Sequence, residues 1–322
     1  MATYKEINGT AVQNYAGDLP GAVDGQVWYN STAANFKFNA IINLETWATG
    51  GNLATARRYL AGAGTQTAGL AFGGESVTAV TEEYDGSSWT AGGSMGTARY
   101  AMGSCGTQTA GLGFGGYPPV TAVTEEYNGS SWTAGGNLGT ARRRLAGAGI
   151  QTAALAFGGT APAVTAATEE YNGSAWTAGG NLATARYSLA GLGTQTAGLG
   201  FGGYPPSSGV LNATEEYNGS SWTAGGNLNT ARATLAGAGI QTAGLAFGGG
   251  TGPSIGLTAT EKYDGTSWTT TGNMNSGRGL LAGDGIQTAA LAFGGLVGGT
   301  GSALTEEFNA GPGPATLTIT TT

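Results

Sequence analysis

The sequence predicts an all-β chain closed into a six-bladed β-propeller, with an N-terminal strand completing the last blade. Three observations predict it. A tryptophan returns every 42 to 46 residues, at Trp47, Trp89, Trp132, Trp176, Trp222 and Trp268. Each is followed at fixed distances by an arginine, a Gly-Gly pair and a Thr-Glu element. Glycine is abundant, at 63 of 322 residues, while 40% hydrophobic content leaves ample material for a packed core. A period of roughly 40–50 residues belongs to propeller blades, none of which buries its apolar face alone.

The spacing is strict. Ten residues after each Trp stands Arg57, Arg99, Arg142, Arg186, Arg232 or Arg278. Sixteen residues further on come the Gly-Gly pairs, beginning at Gly73, Gly115, Gly158, Gly202, Gly248 and Gly294. The Thr-Glu-Glu-Tyr elements follow at Thr81, Thr124, Thr168, Thr214, Thr260 and Thr305, with Lys262 in place of the second Glu and Phe308 in place of Tyr. The next Trp falls eight residues after that Thr. All variation in length lies between Gly-Gly and Thr, where the loop grows from six residues (75–80) to ten (204–213 and 250–259).

Each unit reads as four short strands. Residues 57–64 are expected as strand a, with a turn at Thr65 and Gln66. Residues 67–74 form strand b, where Leu70 and Phe72 alternate onto one face. Glu82 to Tyr84 is strand c, Asp85-Gly86 opens a hairpin turn because both residues tolerate positive φ, and Trp89 begins strand d. The last unit ends at Phe308 and Asn309 without a following Trp, and Trp47 lacks strands a, b and c before it. Residues 44–48 therefore supply the missing strand d of the last blade, which removes open sheet edges. Residues 40–310 are assigned to the propeller.

Composition excludes several classes of chemistry. Net charge is −7, and Arg142-Arg143-Arg144 is the one basic cluster, so the basic stripe of a nucleic-acid binder is lacking. With no histidine, the commonest general base and transition-metal ligand are missing. Cys105 is the sole cysteine, at the register of Ala63, Ala148 and Ala238, and reads as a small buried hydrophobe. No cofactor or metal is expected. Neither a basic start followed by an apolar run nor a stretch of about 18 apolar residues is seen, so synthesis in the cytoplasm without a secretory signal or membrane insertion is expected.

The paired glutamates do not read as catalytic. Adjacent strand residues point to opposite faces, so their carboxylates diverge. The first of each pair, Glu82, Glu125, Glu169, Glu215, Glu261 and Glu306, is expected to form structural ion pairs with the six repeated arginines, since half-buried charge needs a partner. Lys262 in place of a second Glu suggests that only the first is constrained. Trp and Tyr, recurring in every blade, read as packing between blades. The variable b–c loops are the candidate binding surface. Tyr117 and Tyr204, each followed by two prolines, offer flat apolar area and a hydroxyl suited to glycan or protein contact.

Four strands per unit, with Gly-Gly, Tyr and Trp in that order, resemble the kelch repeat over residues 40–310. The resemblance implies a propeller. It implies no oxidase chemistry, because kelch-type copper oxidases need histidine ligands. Residues 84–89 (Tyr-Asp-Gly-Ser-Ser-Trp) are also similar to the Asp-box turn of sialidase propellers, but lack the residue between Asp and Gly.

The ends fall outside the repeat. In the arm, residues 1–39, residues 25–30 and 35–39 flank a turn at 31–34 as a small hairpin. The run Gly25-Gln-Val-Trp-Tyr-Asn-Ser-Thr32 followed by Phe36-Lys-Phe38 resembles segments of bacteriophage tail-fibre and other virion proteins. At the other end, residues 311–314 (Gly-Pro-Gly-Pro) are expected to break the chain before a separate strand in the tail 311–322, free to add to a neighbouring subunit's sheet. These features imply a non-enzymatic virion structural protein of tail, fibre or head decoration. It would be held to sister subunits or other virion proteins through residues 1–39 and 315–322, with host-surface glycan as a fitting ligand class. The alternative is a bacterial surface lectin or adhesin using the b–c loops on glycans. An enzyme ranks third, since no nucleophile, base and orienting partner come together.

Overall fold

Short alanine- and glycine-rich segments bounded by tight turns make the blade elements strands. The structure, a computed structural model, describes residues 13–18, 26–207, 209–252 and 255–319, and its described regular elements are all β. Blade 1 comprises strand a (Ala61–Thr65), b (Ala68–Phe72), c (Thr81–Tyr84) and d (Trp89–Ala91). Blades 2 to 5 repeat this order, starting from strands a at Gly103–Thr107, Ala146–Ile150, Ala190–Thr194 and Ala236–Ile240. They end on strands d at Trp132–Ala134, Trp176–Ala178, Trp222–Ala224 and Trp268–Thr270. In blade 6, a (Ala282–Ile286) and b (Ala289–Phe293) are followed by the long strand Thr305–Ile319, whose neighbour in the sheet is Asn35–Thr49. The six a strands touch in a closed circle, that of blade 6 against that of blade 1.

The core lies between the blades and repeats around the ring. Phe72 of blade 1 meets Trp132 of blade 2 at 4.7 Å between centroids, and the same pairing recurs as Phe114–Trp176, Phe157–Trp222, Phe201–Trp268, Phe247–Trp47 and Phe293–Trp89. Each indole N–H donates to the Thr that opens strand c of the preceding blade, from Trp132 to Thr81 (2.9 Å) through to Trp47 to Thr260 (3.1 Å). Trp47 also lies 5.3 Å from Phe308, so the first tryptophan completes the last blade. Six glutamines fasten the rim: Gln108 of blade 2 donates to the Gly69 and Tyr84 carbonyls of blade 1, and Gln66 does the same to Ala290 and Phe308. Glycine is required where blades approach most closely; a Cβ at Gly69 would stand 2.7 Å from Leu291 of blade 6.

Several expectations are corrected. Strand a begins at residue 61, not 57, because Tyr59 takes a left-handed conformation (φ 56°) that no strand tolerates. In the c–d turn only Gly86 has positive φ; the Asp85 carboxylate instead accepts the N–H groups of Ser87 and Ser88, both at 2.8 Å. The Gly-Pro-Gly-Pro segment does not interrupt its strand, which runs unbroken from Thr305 to Ile319. Prolines two residues apart lack N–H groups toward the same edge only, which leaves the other edge able to pair, and the neighbour of this strand in the sheet is Asn35–Thr49. The tail residues up to Ile319 thus belong to a strand whose sheet neighbour is in the same chain.

The chain divides into two units, residues 46–309 and, formed by both ends together, residues 1–45 with 310–322. Of the arm expected over residues 1–39, residues 1–12 and 19–25 lie outside the described residues, as do the last three of the tail. The hairpin pairs Val27 with Phe38 and Tyr29 with Phe36; Trp28 is buried, and Asn30 donates to Asp18 at 3.0 Å.

Candidate binding face

The six repeated arginines and first glutamates come together in every blade. Arg57 reaches Glu82 at 2.7 Å, Arg99 Glu125 at 3.1 Å, Arg142 Glu169 at 2.9 Å, Arg232 Glu261 at 3.0 Å and Arg278 Glu306 at 3.2 Å; Arg186 pairs likewise with Glu215. All twelve side chains are buried. The second guanidinium nitrogen of Arg57 donates to the Gly73 and Val80 carbonyls, closing the base of the b–c loop, while Glu82 also accepts the Ala54 N–H. Burial pulls Arg99, Arg232 and Arg278 down to about 10, with the facing glutamate opposing. These groups build the scaffold under the loops and are closed to a ligand.

The second glutamates are constrained as well, contrary to expectation. Tyr84 donates to Glu307 at 2.6 Å, Tyr171 to Glu126 at 2.6 Å, Tyr217 to Glu170 at 2.5 Å and Tyr263 to Glu216 at 2.5 Å, and Tyr127 donates to Glu83. Each bond joins a tyrosine to the glutamate of the preceding blade. Cys105 is buried, and burial pushes its thiol up.

The b–c loops share one face with the turns that lead into the a strands. Tyr117 pairs through its backbone with Tyr100, their rings 5.4 Å apart, and the Arg143 guanidinium lies 4.7 Å from the Tyr117 ring. Tyr204 pairs with Tyr187, stacked at 5.2 Å, and its hydroxyl donates to the Gly252 carbonyl at 3.3 Å. The two candidate tyrosines are thus halves of aromatic pairs. Arg144 lies 5.4 Å from the Tyr59 ring and 5.7 Å from that of Tyr187, and donates to the Tyr59 hydroxyl at 3.3 Å. Blades 1 to 4 contribute this tyrosine–arginine cluster. Blades 5 and 6 place Ala233, Thr234, Gly279 and Leu280 at the same positions.

At the centre of this face the backbone closes on itself. Tyr59, Ala101, Arg144, Ser188, Thr234 and Leu280 all have φ between 52° and 58°. Each N–H donates to the carbonyl of the residue before it in the circle, at 2.7 to 2.9 Å, so that Tyr59 receives Ala101 and itself donates to Leu280. Six left-handed non-glycine residues are a concentration of strain, each costing on the order of 1–3 kcal/mol, which the closed ring of bonds holds in place. A cavity of about 100 Å³ opens at the ring. Behind a collar of Leu60, Met102, Leu145, Leu189, Leu235 and Leu281 lies the central channel, about 250 Å³, lined by the a strands of all six blades.

Asp284 stands in that channel wall at the register of Ala63, Cys105, Ala148, Leu192 and Ala238. Its Oδ2 has no hydrogen-bond partner, and burial raises its carboxyl well above the usual range. The repeat announces it as the one charged residue in an otherwise small or apolar position, a signal that comparing Cys105 with the alanines alone overlooks. Arg143 and Arg144 were legible as a basic cluster; their contact with Tyr117, Tyr59 and Tyr187 was not. A scan against models of known protein families and a search of the curated proteins both give no match.

Proposed function

We propose that the chain is a non-enzymatic structural protein of a bacteriophage virion, presenting a kelch-like propeller whose b–c loop face makes the attachment contact. The observation that carries this reading is the tyrosine–arginine cluster, collected on one face from four blades, while the repeated glutamates are committed to arginine and tyrosine partners. General acid–base chemistry needs a carboxylate at liberty to reach a substrate proton, and the committed pairs favour binding over turnover. Rigid aromatic rings supply contact area at low entropic cost. The second unit, drawn from both ends of the chain, gives sister subunits or other virion proteins a part separate from the propeller to hold. The likeness of residues 25–38 to virion segments favours a virion over a cell surface.

An antibody to the purified chain, applied with gold label to purified particles and to cells of its source, tests the assignment. Label on particles is expected. Label confined to the cell envelope would overturn it in favour of a surface lectin or adhesin. In parallel, Tyr187→Ala and Tyr204→Ala should weaken adsorption of the fluorescent full-length protein to cells, whereas Thr90→Ala, on an outer strand, should not.

A further inference from the structure

We propose that the mouth of the channel binds an acidic saccharide, a sugar ring carrying a carboxylate received by Arg144 and Arg143. This rests on the reading of the loop face as the binding face and adds the class of ligand.

Charge carries the first part of the argument. Of the nine arginines, seven are ion-paired: the six of the repeat, and Arg58 with Glu75. Arg143 and Arg144 have no carboxylate partner among the described residues, in a chain where acidic residues outnumber basic ones 19 to 12. Glu75, the one carboxylate in the b–c loops, is already held by Arg58. Among the described residues, arginine charge without a carboxylate partner is therefore concentrated at this mouth.

Geometry carries the second part. Arg144 spends one N–H on the Tyr59 hydroxyl. Since a guanidinium has five donors in a planar fork, an edge remains for bidentate capture of a carboxylate. The backbone N–H and C=O groups of the central ring bond to each other, so recognition falls to side chains. Those side chains are mixed in the way a sugar requires. Arg143 lies over the Tyr117 ring and Arg144 over those of Tyr59 and Tyr187, so the rings hold both guanidiniums in place, while Ser188 adds a hydroxyl and the leucine collar an apolar floor. Two cations in an acidic protein are too few to follow a nucleic-acid backbone, which needs a basic stripe.

Calorimetry on the full chain with sialyllactose, galacturonate oligomers, lactose and inorganic phosphate tests the proposal. At least one acidic saccharide should bind, and lactose more weakly by about tenfold or more. Arg144→Gln should lower affinity by about ten- to a hundredfold, the worth of a hydrogen-bonded charge, with Arg144→Lys retaining part of it and thermal midpoints unchanged. Equal binding of acidic and neutral sugars would overturn the acidic class while leaving the face as a binding surface. Phosphate binding as tightly as the sugars, or sugar binding indifferent to Arg144→Gln and Tyr187→Ala, would overturn the site. No saccharide binding, with adsorption to cells still lost in Tyr187→Ala, would overturn the ligand class and leave the attachment reading intact.

Discussion

Lys262 and Phe308 occupy, at the junction of blades 5 and 6, the two positions that a tyrosine-to-glutamate hydrogen bond joins at the other five junctions. The two departures from the repeat are one change. A glutamate facing phenylalanine, or a buried tyrosine hydroxyl facing lysine, would lose the partner that the pair elsewhere provides. Lys262→Glu and Phe308→Tyr should each be neutral or destabilising alone. Combined, they should show a favourable coupling of about 1–2 kcal/mol in a double-mutant cycle by urea denaturation. Simple additivity would mean that the cross-blade bond contributes nothing.

The blades were legible because their signals are local: a period, a Gly-Gly pair, a turn dipeptide and an aromatic at fixed distances. The six ion pairs were legible because Arg and Glu share a blade. The tyrosine–glutamate bonds were not, since the partners lie on different blades, 44 to 47 residues apart in four of them, as in Tyr127–Glu83 and Tyr263–Glu216, and 223 apart in Tyr84–Glu307. Only the paired exception at 262 and 308 hints at them. The left-handed ring was hidden for another reason. Tyr59, Arg144 and Leu280 are poor candidates for positive φ, and the conformation is imposed by the neighbouring blades.

The two glutamates of blade 3 should differ in worth. Glu169 neutralises Arg142, which is fully buried, and accepts the Gly139 N–H at 2.6 Å. Glu169→Ala would leave a buried guanidinium unpaired, at a cost of about 3–5 kcal/mol. Glu170 holds only the Tyr217 hydroxyl, and Glu170→Ala should cost about 1.5–3 kcal/mol. Equal losses in thermal or chemical denaturation would contradict the burial argument.

Asp284 should be a liability near neutral pH. Its carboxyl titrates well above the usual range because burial disfavours the charge. Between the unfolded carboxylate pKa of about 3.9 and the raised folded value, the unfolded chain has released a proton that the folded chain retains, so stability falls as pH rises. Asp284→Ala, the residue of three other blades at this register, should stabilise the fold by about 1–3 kcal/mol at pH 7. The gain should shrink toward pH 4. A pH-independent difference would show that Asp284 is not buried as a neutral acid.

Alkali should act on the cross-blade tyrosines. Tyr84, Tyr127, Tyr171, Tyr217 and Tyr263 are each pushed up to about 12, first by burial and then by the glutamate they bond. Unfolded tyrosine releases its proton near pH 10, so their contribution is complete below about 10 and is lost as pH rises toward 12. Absorbance at the phenolate band should show these five ionising late and together with unfolding. Smooth titration near 10, without loss of structure, would mean that the hydroxyls are open to solvent.

Closure of the ring depends on a residue from outside the six contiguous units. Trp47 is 6% exposed, packs against Phe247 of blade 5 and Phe308 of blade 6, and donates its indole N–H to Thr260. Its carbonyl accepts from Asn275, which ties the incoming strand to the connection between blades 5 and 6. Trp222, 8% exposed, makes the same aromatic and threonine contacts within a blade whose strands are contiguous in sequence. Trp47→Ala and Trp222→Ala should therefore each cost about 3–5 kcal/mol at equilibrium. Their unfolding kinetics should differ. Blade 6 is held together by strands from the two ends of the chain, so loss of Trp47 frees an edge without first disrupting a hairpin. Trp47→Ala should then unfold faster than Trp222→Ala at matched stability, measured by dilution into urea. If Trp47→Ala costs under about 1 kcal/mol, or if the two variants unfold at the same rate, the first tryptophan is not the clasp of the ring.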